Sequence, residues 1–487
     1  MDICQQEKEK TVMERPASVA TGVPQLDLIL GGGVVQNSLI LIGGVAGSGK
    51  TVLAAQIACA AADRDERVLF VTAFSEPHNK LIANLQGFRF FNQNHIGGRI
   101  KLLNLQHQLS TSLEEAADTI VREAREHKAR LVVLDGIQGI LVTSNRPAAP
   151  HQFLYDLSAK LNLLNVTTVV TYDLSAVADA TRPELTAVDG VIALNQELIG
   201  DRAIRTIQVV KQRGANPLLG RHTFTLTDEG VICYPRQETM TQVKDVAPGA
   251  ERMPFGISAL DTMLEGGPQQ GTSTIVAGAE GTGKTVLGLQ YAMHGVARNE
   301  RALLISFNET AQQLVAKGRL FGLGIQAALD SENLLIRSYP LVELNPDAVA
   351  QEIRLLVESA SIQRLIIDSI GDLERQLVER QRAGDFFASL VTFLRNHQLT
   401  TCITVEIDPI IGRDLSFAGK SLAALSDNVI FLEHVEVNDQ QLFALTVLKM
   451  RYSGHDRLPH SYNIDSTGIN LAPTPLVGAY SFTRRKS

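Results

Sequence analysis

The stretch SLILIGG (38–44), running through GVAGSGKT (44–51) into TVLAAQIACAAA (51–62), decides the fold. Its Leu/Ile run has the length and composition of a buried strand. The glycines mark a tight loop, and the small and aliphatic residues beyond it read as a helix. In a strand–loop–helix of this spacing, Gly44, Gly47, Ser48 and Gly49 let backbone N–H groups approach phosphate oxygens, and the helix N-terminus adds positive potential. Lys50 is placed to reach the β- and γ-phosphates of a nucleotide, and Thr51 to ligate Mg²⁺.

The pattern returns in GAEGTGKT (278–285), which follows a second apolar run and opens TVLGLQYAMHGVA (285–297). Gly278, Gly281, Thr282, Gly283, Lys284 and Thr285 therefore stand ready for the same tasks. Other landmarks keep the register: GVPQLD (22–27) recurs as GISALD (256–261), LVVLDG (131–136) as LIIDS (365–369), and KQR (211–213) as KMR (449–451). The chain is a duplicated unit. Short β-rich runs alternate with helical stretches, among them Ser112 to Lys128 with Glu115 in capping-box spacing. Alternation of this kind predicts an α/β fold, each domain a mostly parallel sheet flanked by helices. The expected divisions are an N-terminal arm (1–14), a first domain (15–240), a linker (241–252) around Pro248-Gly249, a second domain (253–472) and a short tail (473–487).

At 487 residues the chain exceeds what one hydrophobic core covers and suits two domains. No apolar run approaches the roughly 18 residues that cross a bilayer, and the polar opening MDICQQEKEK reads as cytoplasmic. A net charge of −7 argues against a nucleic-acid partner. Cys4, Cys59, Cys233 and Cys402 are scattered, so they read as reduced thiols and not as a metal or redox set.

Asp135 and Asp368 end apolar runs of the Walker B type, where a carboxylate beside the phosphate loop holds the Mg²⁺ shell. Lys211 and Arg213 lie two apart on a strand-like run, as do Lys449 and Arg451, so each pair projects from one face. Spacing alone leaves open a solvated edge strand or a phosphate contact.

With these residues in view, the chain resembles the KaiC family, the two-lobed RecA-like ATPases of bacterial clocks and their relatives. The paired P-loops, the paired K-x-R elements and endings such as FTLTDEGV (224–231) and YNIDSTGI (462–469) carry the resemblance. It implies ATP and Mg²⁺ at two sites and a hexamer of stacked rings, with Lys211/Arg213 and Lys449/Arg451 acting on a neighbour's γ-phosphate. It also implies that His455 lies near nucleotide.

The departures are informative. The family places two adjacent glutamates after the second strand, the first serving as general base. Here the segments read Phe74-Ser75-Glu76-Pro77 and Phe307-Asn308-Glu309-Thr310, so only Glu76 and Glu309 remain as candidate bases. General-base catalysis is worth about 10²–10⁴-fold, so slow hydrolysis is expected. Ala423 and Ala424 stand where the clock proteins carry Ser and Thr acceptors, which removes the hydroxyls for clock-type autophosphorylation. The tail after Leu471 is short beside that of the clock proteins. The expected function is a ring-forming ATPase with a regulatory or signalling protein as its unnamed partner. A RecA/RadA-type DNA-processing ATPase and a kinase acting on a partner protein are the alternatives.

Overall fold

The computed structural model describes residues 16–72, 78–105, 112–137, 149–173, 183–407, 425–437, 440–476 and 481–482. Ser75, Glu76, Ala423, Ala424, Cys4, the N-terminal arm and most of the tail lie outside them. Two compact units divide between Thr239 and Met240.

Among the described residues of the first unit, nine strands form one sheet. Six run parallel, in the order Gly190–Ile199, Leu39–Gly44, Thr167–Asp173, Leu131–Asp135, Val68–Thr72, Ile100–Asn104. Arg202–Gln212, His222–Thr227 and Gly230–Tyr234 extend the sheet antiparallel beyond Gly190–Ile199. The second unit repeats this plan and adds a tenth strand, Ser481–Phe482, antiparallel beside Val435 and Glu436. Its parallel order is Asn428–Val437, Ser273–Gly278, Thr400–Glu406, Arg364–Asp368, Ala302–Ser306, Leu334–Ser338, followed on the Asn428 side by Gln440–Met450, His460–Asp465 and Gly468–Leu471. These are two tandem RecA-like α/β domains, as the alternating sequence pattern requires.

The apolar runs are continuous because both sheet faces are covered. Successive residues point to opposite faces. Ile40, Ile42, Val68, Phe70, Leu131 and Val133 pack with the helix Lys50–Asp63. Leu39, Leu41, Leu69, Val71, Val132 and Leu134 pack on the other face with Leu113–His127 and Ala149–Asn162. Ser112 caps the first of these by accepting from the amides of Glu114 and Glu115. The reciprocal capping box forms in the second unit, between Thr310 and Gln313. Cys59, Cys233 and Cys402 are free and buried, and burial pushes each thiol up to about 12. No helix among the described residues is long and apolar enough to cross a membrane.

The segment read as a linker is held along the second unit. Ser389 donates to Thr241 Oγ1 at 2.6 Å, Asn396 Nδ2 to the Gln242 carbonyl at 2.6 Å, and Gln398 Nε2 to that of Ala247 at 3.0 Å. Three polar side chains of one helix and its exit thus fix the stretch read as a linker.

The units diverge beneath their P-loop helices. Leu131 opens the Walker B strand of the first unit and packs in the same core as Ala61. At the matching positions the second unit has Arg364 and Gly295. Arg364 is fully buried, pairs with Glu300, donates to the carbonyls of Pro254 and Tyr291, and lies with its guanidinium carbon 4.3 Å from the Tyr291 ring centre. A Cβ on Gly295 would lie 2.4 Å from Arg364 Nε, so the glycine makes the room that the guanidinium fills. Removing one partner of such a pair strands a buried charge, whereas removing both does not. Glu300→Ala is expected to cost the second unit about 3–5 kcal/mol in urea unfolding, and Glu300→Ala with Arg364→Leu less than half of that. A double variant as unstable as the single would exclude the ion pair as the cause.

Candidate functional site

Each P-loop leaves the carboxyl end of a central strand and turns into a helix, at Lys50–Asp63 and Lys284–Ala297. Gly47 and Gly281 share φ 78°, and a Cβ there would meet nothing within 4 Å. The backbone conformation demands glycine, and the surface above the loop stays open. Gly44 and Gly278 serve differently: a Cβ would sit 2.5 and 2.6 Å from the carbonyl oxygens of Leu194 and Leu432. Gly49 and Gly283, at φ 99° and 89°, cap the helices in the left-handed region. Ser48 and Thr282 are fully buried beneath the loop; Thr282 donates to the Ala279 carbonyl and its own carbonyl accepts from Tyr462. Thr282 thus holds the loop's shape from below in the second unit.

Lys50 Nζ donates to the carbonyls of Gly44 and Val45 at 2.9 and 2.8 Å and pairs with Asp173 at 2.7 Å. Lys284 repeats the two carbonyl bonds at the same distances. Burial pulls the Lys284 ammonium below its ordinary range, against the opposing pull of Glu406, Asp368 and Glu280. Thr51 Oγ1 donates to Asp135 at 3.0 Å, and Thr285 Oγ1 to Asp368 at 2.7 Å. Each aspartate is gripped from the other side by a threonine on the adjacent strand, Thr171 at 2.6 Å and Thr404 at 2.5 Å. Sequence reasoning missed Thr171, Thr404, Asp173 and Glu406. A signal was available: VTTVVTYD (166–173) and LTTCITVE (399–406) carry Thr and acid in repeat register.

A hydroxyl and a carboxylate beside an open, glycine-lined backbone loop and a lysine form an oxygen donor set suited to Mg²⁺ and a polyphosphate. The fit holds in both units.

Glu309 is turned toward the helix Ala311–Leu320, where Lys317 Nζ meets its carboxylate at 2.5 Å. Its neighbour Asn308 donates from Nδ2 to the buried Asp372 at 2.6 Å. Glu76 lies outside the described residues.

The K-x-R elements lie at the opposite end of the sheet from the P-loops. Gln212 pairs with Gly190 and Gly190 with Ile40, so Lys211 and Arg213 stand level with the start of the strand that Gly44 ends. Met450, Asn428 and Thr274 repeat this register for Lys449 and Arg451. At about 3.3 Å per residue the separation is roughly 15 Å. Lysine and arginine also part company. Lys211 Nζ caps the carbonyls of Leu185, Thr186 and Val188, and Lys449 Nζ donates to Ser426. Burial, then the neighbouring arginine, lowers both lysines from their ordinary range. Arg213 and Arg451 have side chains 63% and 44% exposed and lie 3.6 Å from Asp189 and Asp427. His455 is half-buried, lowered by burial and Arg457, and the next residue, Asp456, donates its amide to the Met263 carbonyl.

Comparison with known proteins agrees with this geometry. The chain is 28% identical to the circadian clock oscillator protein KaiC of Nostoc sp., covering 96% of this chain and 91% of that protein. It is 27% identical to the circadian clock protein KaiC3 of Synechocystis sp., covering 96% of each. With KaiC of Synechococcus elongatus it shares 26% over 93% of this chain and 89% of the relative. The family described as the KaiC ATPase matches residues 19–238 and again 253–475. Matched twice over nearly its whole length, the chain belongs to the KaiC ATPase family.

Proposed function

We propose that this protein is a slow ATPase that binds ATP·Mg²⁺ in both domains and assembles through those nucleotides into a ring, a hexamer, serving as a regulatory or signalling scaffold. The observation that carries the reading is the opposition, in both units, between the P-loop at one end of the sheet and an exposed arginine at the other. An arginine roughly 15 Å from its own P-loop meets a phosphate only when a second copy supplies one. Arg213 and Arg451 are then the groups that stabilise charge on a neighbour's γ-phosphate. Lys211 and Lys449 hold the backbone behind them.

Within each site, Lys50 and Lys284 bind the phosphates, and Thr51 with Asp135 and Thr285 with Asp368 hold Mg²⁺, partly through water. Bound there, Mg²⁺ supplies charge neutralisation on the β- and γ-oxygens. Ser75 and Asn308 replace the carboxylate base of the family, and neither accepts a proton readily near neutral pH. Ala423 and Ala424 offer no hydroxyl, so clock-type autophosphorylation is absent. The acidic charge of −7 favours a protein partner over a DNA-processing role.

Lys50→Ala and Lys284→Ala, made singly, are each expected to reduce bound nucleotide from two per chain to one, measured by chromatography of the denatured protein. A variant that keeps both would remove that P-loop from the site.

Light scattering is expected to find ring-sized particles with ATP and smaller ones without it. Arg213→Ala is expected to weaken assembly, leaving smaller particles at an ATP concentration that assembles the wild type. A chain that stays monomeric with saturating ATP would sink the ring and the arginines' action between copies together.

A further inference from the structure

Asn308 lies two residues beyond Ser306, at the strand end that flanks Asp368. Ser306, at the end of its strand, is paired with Asp368, and the Phe307 amide donates to the Asp368 carbonyl at 3.0 Å. Asn308 is thus an exposed side chain just beyond the sheet edge that carries Asp368, to which Thr285 of the P-loop helix donates. Its amide is held at the nitrogen end. Nδ2 donates to Asp372 Oδ2 at 2.6 Å, and Asp372, 1% exposed, also accepts from Ser369 Oγ at 2.7 Å and pairs through Oδ1 with Arg375. Three donors hold that carboxylate, and the carboxylate holds the amide nitrogen. Asn308 Oδ1 is the atom left over, with no protein partner among the described residues.

We propose that Asn308 orients the hydrolytic water of the second nucleotide site, that Asp372 is its positioning residue, and that turnover therefore resides in the second domain. This rests on the ATPase reading above and assigns its reaction to one site. An amide oxygen accepts a hydrogen bond and takes no proton. The water oxygen forms its bond to the γ-phosphorus, and the bond to the β,γ-bridging oxygen breaks with its electron pair, leaving ADP. The water proton passes to a γ-phosphate oxygen, giving inorganic phosphate. The first domain has Ser75 and Gly139 at the matching sequence positions, both outside the described residues, and neither residue type can form an amide–carboxylate pair.

The test is phosphate release by the full chain, with bound nucleotide measured alongside. Asn308→Ala and Asp372→Ala are each expected to lower kcat about 10- to 100-fold, the scale of losing reactant orientation, with KM for ATP and nucleotide content unchanged. The double variant is expected to be no slower than Asn308→Ala alone, because Asp372 acts through Asn308. Asp372→Asn keeps an acceptor for Nδ2 and is expected to recover several-fold of the loss; it also carries the comparison if Asp372→Ala does not fold. Turnover unmoved by Asn308→Ala, or losses that multiply in the double variant, would overturn the proposal. Wild type that binds no nucleotide would instead overturn the ATPase reading beneath it.

Discussion

A carboxylate gripped by two threonines lies at the centre of each unit. Asp135 accepts from Thr51 at the head of the P-loop helix and from Thr171 on the next strand, and Asp368 does the same between Thr285 and Thr404. This contact joins three elements at one height: loop, Walker B strand and the strand between them in the sheet. The parallel order makes it possible, since all these strands end on one edge. Buried carboxylates require such partners, and the partners here are hydroxyls, which a divalent cation can join without displacing a fixed counter-charge.

The P-loops and aspartates were legible in sequence because their meaning is local, a few residues of fixed spacing beside an apolar run. Thr171 and Thr404 were not, because their role exists only once a distant strand comes alongside. The K-x-R pairs show a different limit. Two residues apart on a strand, they read as one functional pair; yet Lys211 reaches back to the carbonyls of the loop before Gly190–Ile199, while Arg213 stays exposed. Length and flexibility of the lysine stem decide that, and strand spacing does not encode them. Likewise, Asn308 read as a lost base until Asp372 was found holding its amide nitrogen.

Duplication left both phosphate loops alike and let their supports drift. Ala61 with Leu131 became Gly295 with Arg364, volume moving from one helix to the facing strand. The swap needs Glu300 for charge at Nε and the carbonyls of Pro254 and Tyr291 for Nη1. Gln56 and Gln290, by contrast, keep the same bond, each accepting an amide of the outer strands, from Val231 and Ile469, at 2.8 and 2.9 Å. The shared bond braces the helix that begins at Lys50 in one unit and at Lys284 in the other; the divergent pair lies at the strand end remote from the P-loop.

Placing a phosphate loop and its arginine at opposite ends of one sheet has a thermodynamic consequence for the proposed ring. A nucleotide that contacts two copies stabilises the assembled state over the dispersed one, and assembly in turn must tighten nucleotide binding by the same factor. A site that hydrolyses its nucleotide quickly would keep dissolving the contact that forms it. On the proposed function, replacing a carboxylate base by Ser75 and by the amide of Asn308 would slow that loss without touching Lys50, Lys284 or the arginines. Slow turnover and stable assembly are, on this reading, one requirement met at two places: an amide that orients water without taking its proton, and a guanidinium that meets phosphate only across a boundary between copies.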